Sequence, residues 1–253
     1  MPIKMIVTDL DNTLLRRDKT ISDHTADVLR RVHEHEVLIA FATARYFRTV
    51  EEWLIPSIGI HPDIVISLNG AYAYRNSEVL YKATISPDLS NALVRDIRKR
   101  GGKITAGTSS VRLSERQIED THKSFSRLCD FSENLTEEVH YIDFHGSSDI
   151  ADEIASIFPE IRTQKYVDAT LITFLHQNAW KGVALTEIMK QLEITSSEVV
   201  GFGDDRNDID FLNICETKVA VNNAVDEVKA ISDCICGDCD NDGVAKWLEE
   251  NVL

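Results

Sequence analysis

Residues 3–13 read Ile-Lys-Met-Ile-Val-Thr-Asp-Leu-Asp-Asn-Thr, a short apolar run that ends in the carboxylates of Asp9 and Asp11. A short apolar run bounded by polar residues is typical of a strand that is covered on both faces. Asp9 and Asp11 follow this strand one residue apart, so both can face the same crevice. One can attack an electrophile while the other transfers protons. Taken alone, such a pair is more often a loop of solvated acids.

Short apolar strands and helices alternate on both sides of the central insert of the chain. The predicted strands of this kind are residues 3–8, 37–41, 63–67, 199–202 and 218–221. The predicted helices are residues 22–34, 47–54, 180–192 and 243–250, with another from about residue 208. Such alternation is typical of parallel βαβ units whose sheet is covered on both faces. The sequence therefore predicts an α/β fold with a Rossmann-like parallel-sheet core.

The pattern changes after a predicted hairpin at residues 71–82. Ser86 and Pro87 are typical of a helix start, as an N-cap and a first-turn proline. Mixed strands and helices follow, with strands predicted at 139–144 and near 164–175. We therefore expect a catalytic core and an inserted α+β cap domain. The core would be residues 1–82 and 178–253, and the cap residues 83–177.

The composition is that of an ordinary globular protein, with 253 residues, 43% of them hydrophobic and 27% charged. The formal net charge of −15 repels a phosphate backbone, so nucleic acid is not an expected partner. No apolar run approaches the roughly 18 residues of a membrane span, and the first residues do not read as a secretory signal. We expect no membrane association and a cytoplasmic location. The five cysteines are expected to be reduced, without a second ligand pair for zinc.

Two further polar positions follow predicted core strands. Thr43, in Phe-Ala-Thr-Ala-Arg (41–45), offers a hydroxyl beside a helix start, where oxyanions are readily bound. A threonine near a helix N-cap is also common without any such role. Lys181 stands at the start of a predicted helix, where the helix dipole disfavours a cation. This conflict indicates a functional reason, although exposed lysines often break the rule.

The stretch Gly-Phe-Gly-Asp-Asp-Arg-Asn-Asp (201–208) adds more carboxylates after another core strand. Open parallel sheets bind ligands at the carboxyl ends of their strands, so these groups meet Asp9 and Asp11 at one edge. Two like charges about 4 Å apart repel by about 4 kcal/mol at an effective dielectric near 20. Asp9, Asp11 and Asp204 together would need a cation or take up protons. Hard oxygen ligands of this kind indicate Mg²⁺.

The order of these motifs closely resembles the haloacid dehalogenase superfamily: Asp-x-Asp-x-Thr, then Thr, then Lys, then Gly-Asp-x-x-Asn-Asp. Within it, the chain is similar to the Cof-type phosphatases, whose cap is inserted between the second and third of these motifs. Leu-Asn-Gly-Ala (68–71) and Asn-Asp-Gly-Val-Ala (241–245) belong to the same resemblance. The resemblance covers the whole core, whereas the insert resembles the family in position and size only.

The resemblance implies a Mg²⁺-dependent phosphatase acting on a small phosphorylated metabolite, which we expect to be a sugar phosphate. Asp9 would be the nucleophile that becomes phosphorylated, and Asp11 the acid and base. The implied metal ligands are Asp9, Asp11 through its backbone carbonyl, Asp204, and Asp208 as ligand or outer contact. The implied phosphate- and substrate-binding residues are Leu10, Thr43, Ala44, Arg45, Asn69, Gly70, Lys181 and Asn207.

Two departures from the family pattern bear on substrate contacts rather than on catalytic groups. Ala44 stands where a glycine often precedes the arginine, and residues 173–177 read Thr-Phe-Leu-His-Gln instead of the more usual Glu-Ile followed by Pro. Residues 238–249 also satisfy the spacing of an EF-hand calcium loop, but no helix is predicted before them.

Three other functions remain open from the residues alone. A phosphomutase shares the aspartyl-phosphate step. A receiver-type signalling module also uses Asp, Thr and Lys around Mg²⁺, although its acidic pair lies on a separate strand and its chain is about half as long. A binding protein that has lost catalysis is the third, and the intact set of Asp9, Asp11, Lys181 and Asp204 argues against it.

Overall fold

The computed structural model describes residues 2–116, 124–165 and 171–253. The chain divides into two compact units, one formed by Met1–Tyr81 with Trp180–Leu253 and the other by Lys82–Ala179. Below, these are called the first and the second unit.

The strands of the described residues, in chain order, are β1 (Met5–Thr8), β2 (Leu38–Ala42), β3 (Ile64–Ser67), β4 (Tyr72–Arg75), β5 (Glu78–Lys82), β6 (Lys103–Gly107), β7 (Arg112–Ser114), β8 (Ser126–Leu128), β9 (Tyr141–His145), β10 (Ile161–Lys165), β11 (Leu171–His176), β12 (Val199–Gly203), β13 (Thr217–Ala220) and β14 (Cys234–Ile235). The α-helices are α1 (Asp23–Glu34), α2 (Phe47–Thr49), α3 (Ile55–Ile58), α4 (Pro87–Lys99), α5 (Ser148–Ile157), α6 (Lys181–Gln191), α7 (Ile209–Leu212), α8 (Asp226–Ile231) and α9 (Gly243–Asn251).

The first unit is built on an eight-stranded sheet in the order β14-β13-β12-β1-β2-β3-β4-β5. The six strands from β14 to β3 run parallel, and β4 pairs with β3 in the antiparallel sense. Strand β1 lies near the centre, and its Met5, Ile6 and Val7 have no exposed surface. A parallel strand with neighbours on both sides and helices above and below must be apolar throughout. The predicted α/β class with a parallel-sheet core is confirmed.

Local signals located several elements correctly. The Ser22 and Ser86 hydroxyls accept hydrogen bonds from the amides of Thr25 and Leu89, which makes them the N-caps of α1 and α4. The expected hairpin is formed by β4 and β5, with Asn76 at a positive φ of 47° in the turn.

Other local expectations need correction. The helix predicted over 47–54 extends to Ile58, with a π-helical turn at Val50–Leu54 before α3. Pro56 lies in the first turn of α3, where its missing amide breaks no hydrogen bond. Helix α8 was not predicted, whereas the edge strand β14 lies within residues 231–237, which the sequence indicates only as a short strand-like run.

The second unit is an α+β structure with a six-stranded sheet in the order β10-β11-β9-β6-β7-β8. Helices α4 and α5 pack on one face of this sheet, where Ile104, Ile142 and Phe174 belong to the buried core. Strands expected near 164–175 correspond to β10 and β11, and residues 166–170 between them lie outside the described part.

The loop with EF-hand spacing has another structural role. Strand β14 precedes it instead of a helix, and Arg17 pairs with the carboxylates of both Asp238 and Asp240. Asp242 accepts hydrogen bonds from Arg16, Ser22 and Thr25. Because protein donors occupy these carboxylates, the loop ties α9 to the segment around α1 and the calcium interpretation is not supported.

No helix within the described ranges is both long enough and apolar enough to cross a bilayer. All five cysteines are free thiols.

Candidate active site

A buried ion-pair network lies at the carboxyl edge of the parallel sheet. The Nζ atom of Lys181 lies 2.7 Å from Oδ1 of Asp9 and 2.7 Å from Oδ1 of Asp208. The side chains of Lys181 and Asp208 are fully buried, and that of Asp9 is 9% exposed. Burial alone would lower the pKa of Lys181, but the two carboxylates outweigh it and raise that pKa. The ammonium is therefore a permanent positive charge between two carboxylates.

Asp208 is held by three hydrogen-bond donors. Its Oδ1 accepts from Lys181, and its Oδ2 accepts from the backbone amides of Asp204 and Asp205 at 3.0 and 3.1 Å. Gly203 makes this packing possible, since a Cβ there would lie 2.7 Å from Cβ of Asp208. Asp208 thus fixes both the lysine and the loop after β12.

Asp204 completes an acidic cluster with Asp9 and Asp208. One carboxylate oxygen from each of the three lies within 4.8 Å of the others. The hydroxyl of Thr13 donates to Oδ1 of Asp204 at 2.9 Å and orients it. Burial and the charge of Asp208 raise the pKa of Asp204 to about 7, although Thr13 and Lys181 oppose the shift. Burial also raises the pKa of Asp9, and the nearby carboxylates add to this against the pull of Lys181.

The charges of this cluster do not balance. Three carboxylates face one ammonium, so the site lacks positive charge when all three are ionised. A hard divalent cation would supply it, and oxygen donors within 4.8 Å of one another suit Mg²⁺. The residues present therefore fit a magnesium ion.

Asp11 points to a different set of partners from Asp9. Arg45 donates two hydrogen bonds to its two carboxylate oxygens at 2.8 Å each, and Lys19 lies 2.9 Å from Oδ1. Burial would raise the pKa of Asp11, but Arg45 and Lys19 prevail and lower it to about 2. Asp11 is therefore a carboxylate at neutral pH in this arrangement. The sequence did not reveal this pairing.

Thr43 belongs to a loop network that reaches Asn207. The amide of Asn69 donates to the Thr43 carbonyl at 3.0 Å, and the Asn207 side-chain amide donates to Oδ1 of Asn69 at 3.0 Å. The Thr43 hydroxyl accepts from the Arg45 amide at 3.1 Å and keeps its own proton to donate. Within the described ranges, no hydrogen bond joins Thr43 directly to Asp9.

Gly70 packs closely against the backbone that leads into Lys181. Its φ is +90°, and a Cβ there would meet the carbonyl oxygen of Trp180 at 2.1 Å. Since Trp180 precedes Lys181 at the start of α6, only glycine allows this approach. Gly70 therefore helps to set where the ammonium lies.

The backbone amides of Leu10 and Ala44 have no hydrogen-bond acceptor in the described parts of the chain. Leu10 directly follows Asp9, and Ala44 directly follows Thr43. Amides of this kind beside a buried cation are suited to an oxyanion. These are two of the positions at which the family resemblance implies phosphate contacts.

Asp210 is a structural partner that the sequence did not single out. Its Oδ2 accepts the amide of Gly182 at 2.7 Å and so caps the first turn of α6, where Trp180 offers no side-chain cap. In the sequence, Asp210 looks like an ordinary first-turn acid of α7. Thr13 was quoted within the first motif, yet its bond to Asp204 could not be read from spacing.

Comparison with known proteins places this site in a family. Residues 6–248 match the family model of the haloacid dehalogenase-like hydrolases. A relative from Bacillus subtilis, the 5-amino-6-(5-phospho-D-ribitylamino)uracil phosphatase YitU, is 24% identical over 97% of this chain and 96% of its own.

Two solved structures show that the fold is shared. A haloacid dehalogenase-like hydrolase from Bacteroides thetaiotaomicron has a TM-score of 0.86 at 22% identity, covering 98% of this chain and 99% of its own. A sugar phosphatase of HAD subclass IIB has a TM-score of 0.81 at 23% identity, covering 98% of each chain.

The chain belongs to the haloacid dehalogenase-like hydrolases. It is accordingly an enzyme, and its curated relatives place it among the phosphatases of that family. The resemblance stated from the motifs and the expectation of a phosphatase are both confirmed at this level.

Proposed function

We propose that this chain hydrolyses small phosphate monoesters through a phosphorylated Asp9, with Mg²⁺ as cofactor. The observation that carries the proposal is the buried ammonium of Lys181 between Asp9 and Asp208. It fixes one oxygen of Asp9, while Oδ2 accepts no hydrogen bond from the described residues and is available to attack. Charge stabilisation and positioning are the main needs of phosphoryl transfer.

In the first step, an oxygen of Asp9 attacks phosphorus. The bond between phosphorus and the ester oxygen breaks, and the departing alcohol takes a proton from Asp11. In the second step, a water attacks phosphorus and gives its proton to Asp11. The bond between phosphorus and Asp9 breaks, which releases phosphate and restores the carboxylate.

The contacts of Asp11 constrain this proposal. With a pKa of about 2, Asp11 is ionised at neutral pH and is a weaker base than an ordinary carboxylate, so in this arrangement it neither carries a proton nor takes one up readily. Its role as acid requires that Arg45 leave the carboxylate. An ester phosphate is a competing partner for the planar guanidinium fork, so substrate binding itself would free Asp11.

The phosphoryl group would be held by donors that surround Asp9. Lys181 neutralises it, and the amides of Leu10 and Ala44 with the Thr43 hydroxyl supply hydrogen bonds. Asn207, placed by Asn69, adds a further donor. Gly70 contributes by allowing the close approach of the chain before Lys181.

The carboxylates of Asp9 and Asp204 and the backbone carbonyl of Asp11 would hold the magnesium ion. Asp208 already accepts three hydrogen bonds, so its role is to position Lys181 and the loop of Asp204. When bound, the ion supplies positive charge to the phosphoryl oxygens.

The second unit, Lys82–Ala179, would act as the cap domain of this enzyme. We expect the substrate to be a sugar phosphate or a similar small phosphorylated metabolite.

The test is phosphate release from a panel of sugar phosphates, nucleotides and 4-nitrophenyl phosphate, with Mg²⁺ and with excess chelator. We expect Mg²⁺-dependent release that disappears in Asp9→Asn. Asp27→Asn removes an exposed carboxylate that pairs with Arg30 and serves as the matched control. Substantial release by folded Asp9→Asn would refute the nucleophile. Loss of substrate with transfer to a second sugar, and without free phosphate, would indicate a mutase.

A further inference from the structure

The loop between β13 and α8 contacts two other loops of the candidate active site. The backbone amide of Val225 donates to the backbone carbonyl of Asp204 at 2.8 Å. The side-chain amide of Asn223 donates to the backbone carbonyl of Asn12 at 2.7 Å. Asp204 follows β12 and Asn12 follows β1, so the two contacts reach different strand ends. One short loop therefore holds both of these segments in a fixed relation to each other.

Asn12 has an unusual backbone conformation in the turn after β1. Its φ is +63°, in the left-handed region that residues other than glycine seldom adopt, although asparagine tolerates it better than most. The carbonyls of Asp9 and Leu10 accept backbone amides of the same turn, and that of Asn12 is held by Asn223. The carbonyl of Asp11 accepts no hydrogen bond from the described residues. Asn223 therefore fixes the peptide unit next to the one carbonyl of these four that is left available.

Asn223 is itself held in one orientation. Its Oδ1 accepts the backbone amide of Cys239 at 2.9 Å, while its Nδ2 donates to Asn12. Cys239 is 2% exposed, so this anchor is part of the packed structure. Only a side-chain amide in this orientation satisfies both partners, because a carboxylate accepts without donating. Asn223 is thus a link between two backbone segments that are far apart in the sequence.

We propose that Asn223 is a positioning residue for the magnesium site, where it keeps the backbone carbonyl of Asp11 in place as a ligand. This inference rests on the magnesium site of the proposed function, in which the Asp11 carbonyl and the carboxylates of Asp9 and Asp204 hold the ion. Mg²⁺ requires near-ideal octahedral geometry, so its affinity depends on how precisely the ligands are held.

The size of the effect follows from how indirect the contact is. Outer partners that orient metal ligands contribute a factor of about 10 to 100 in metal affinity. Asn223 acts on the carbonyl of Asn12, one residue beyond the ligand of Asp11. We therefore expect a contribution at the lower end of this range, about tenfold.

The experiment is calorimetric titration of the full chain with MgCl₂ in the absence of substrate. Asn223→Ala removes both side-chain hydrogen bonds. Asn223→Asp keeps an acceptor for the Cys239 amide but has no donor for the Asn12 carbonyl. The Kd for Mg²⁺ should rise about tenfold in each variant. Asp204→Asn should weaken the same binding, which identifies the titrated ion as the one at this site.

Asn222→Ala and Asn222→Asp are the matched controls, since Asn222 is the exposed neighbour of Asn223. Both should leave the Kd for Mg²⁺ unchanged or, for Asn222→Asp, slightly lower. An added carboxylate attracts Mg²⁺, and Asn222→Asp adds the same charge as Asn223→Asp one position away. Weaker binding in Asn223→Asp than in Asn222→Asp therefore reports the lost hydrogen bond and not the charge.

A purely structural role of Asn223 has a different signature. It would lower the unfolding temperature measured without Mg²⁺ and leave the Kd for Mg²⁺ unchanged, and this result would overturn the inference. Circular dichroism verifies that Asn223→Ala is folded, and Asn223→Asp tests the same contact should it not be.

The failure of this inference and that of the proposed function are distinguishable. A chain whose Mg²⁺ binding weakens in both Asn223 variants, but which releases no phosphate from any ester, supports the inference and refutes the proposed function. A chain that hydrolyses esters with Mg²⁺, and binds the ion equally in wild type and in both Asn223 variants, overturns the inference alone.

Discussion

The ammonium of Lys181 lies 2.7 Å from the carboxylate of Asp9, although the two residues are 172 positions apart in the chain. Both lie where the first unit brings the end of β1 and the start of α6 together. The same ammonium contacts Asp208 at 2.7 Å, so one cation neutralises two carboxylates in a buried setting. Removal of one partner from such a network leaves uncompensated charge, which is far more costly than the loss of an exposed pair.

Lys181→Met should therefore reduce both stability and activity. Two buried carboxylates would lose their shared cation, and we expect the free energy of unfolding at pH 7 to fall by about 3 kcal/mol. Activity should fall by about a hundredfold or more, because a charge aimed at the phosphoryl group is lost. Denaturant unfolding and phosphate release measure the two effects.

Lys190→Met, an exposed change on the same helix, is the control and should alter neither quantity appreciably. Near-normal turnover by Lys181→Met would contradict the role of the lysine.

Asp204→Asn should weaken magnesium binding without collapse of the loop. The side-chain amide oxygen of the variant can still accept the hydroxyl of Thr13, but the ligand loses its negative charge. We expect the Mg²⁺ concentration for half-maximal activity to rise by at least the roughly 10- to 100-fold that loss of a ligand's hydrogen-bond partner costs. Calorimetric titration with Mg²⁺ in the absence of substrate provides a second readout.

Asp226→Asn removes an exposed carboxylate of the same unit and should leave the Mg²⁺ requirement as it is. An unchanged Mg²⁺ dependence in Asp204→Asn would exclude Asp204 as a ligand.

Arg45→Lys should raise the KM for a phosphate ester more than it lowers kcat. The planar guanidinium of Arg45 donates hydrogen bonds to both carboxylate oxygens of Asp11. The same geometry suits two oxygens of a phosphate equally well. Lysine keeps the charge but not the fork, so we expect the KM to rise about tenfold.

Arg48→Lys, on the following helix turn and paired with Glu52, is the matched control. If Arg45→Lys and Arg48→Lys behave alike in steady-state kinetics, Arg45 does not bind the ester.

The sequence predicted the elements whose signals are local. The apolar run before Asp9 indicated a central parallel strand, and Ser86 with Pro87 marked the start of α4. The motif spacing was enough to expect Asp9 and Asp204 at one sheet edge, because the carboxyl ends of parallel strands converge. That expectation depended on topology, which the connection rules for βαβ units narrow to a handful of arrangements. Lys181 was also expected to follow a core strand, but the strand before it, β11, belongs to the sheet of the second unit, and the start of α6 places the lysine in the site instead.

The features that the sequence did not predict depend on long-range contacts or on weak local signals. Arg45 and Asp11, which pair through two hydrogen bonds, are 34 positions apart in the sequence. Asp210 and Gly182, whose hydrogen bond caps α6, are 28 positions apart. Neither spacing has a periodic signature. Helix α8 has only six residues, too few for a periodic pattern to mark it in the sequence.

His140 makes the stability of the second unit dependent on pH. Its side chain is 1% exposed and lies 3.0 Å from the Ser109 hydroxyl. Burial, with a smaller contribution from Lys82, lowers its pKa to about 4. The unfolded chain, with an ordinary histidine pKa near 6.5, then binds the proton more readily than the folded chain. The stability that neutral His140 provides is complete above about pH 6.5 and is lost as the pH falls towards 4. The loss amounts to about 3 kcal/mol.

His140→Gln should reduce the dependence of the free energy of unfolding on pH between about pH 6.5 and pH 4, because glutamine does not titrate. The quantity to compare is the difference in unfolding free energy between pH 7 and pH 4.5, since buried carboxylates also titrate there. All three tryptophans lie in the first unit, so far-ultraviolet circular dichroism or hydrogen exchange of the β9 amides should follow the second unit instead. His61→Gln, at an exposed position of the first unit, is the control. The same loss of stability in wild type and His140→Gln would mean that another group is responsible.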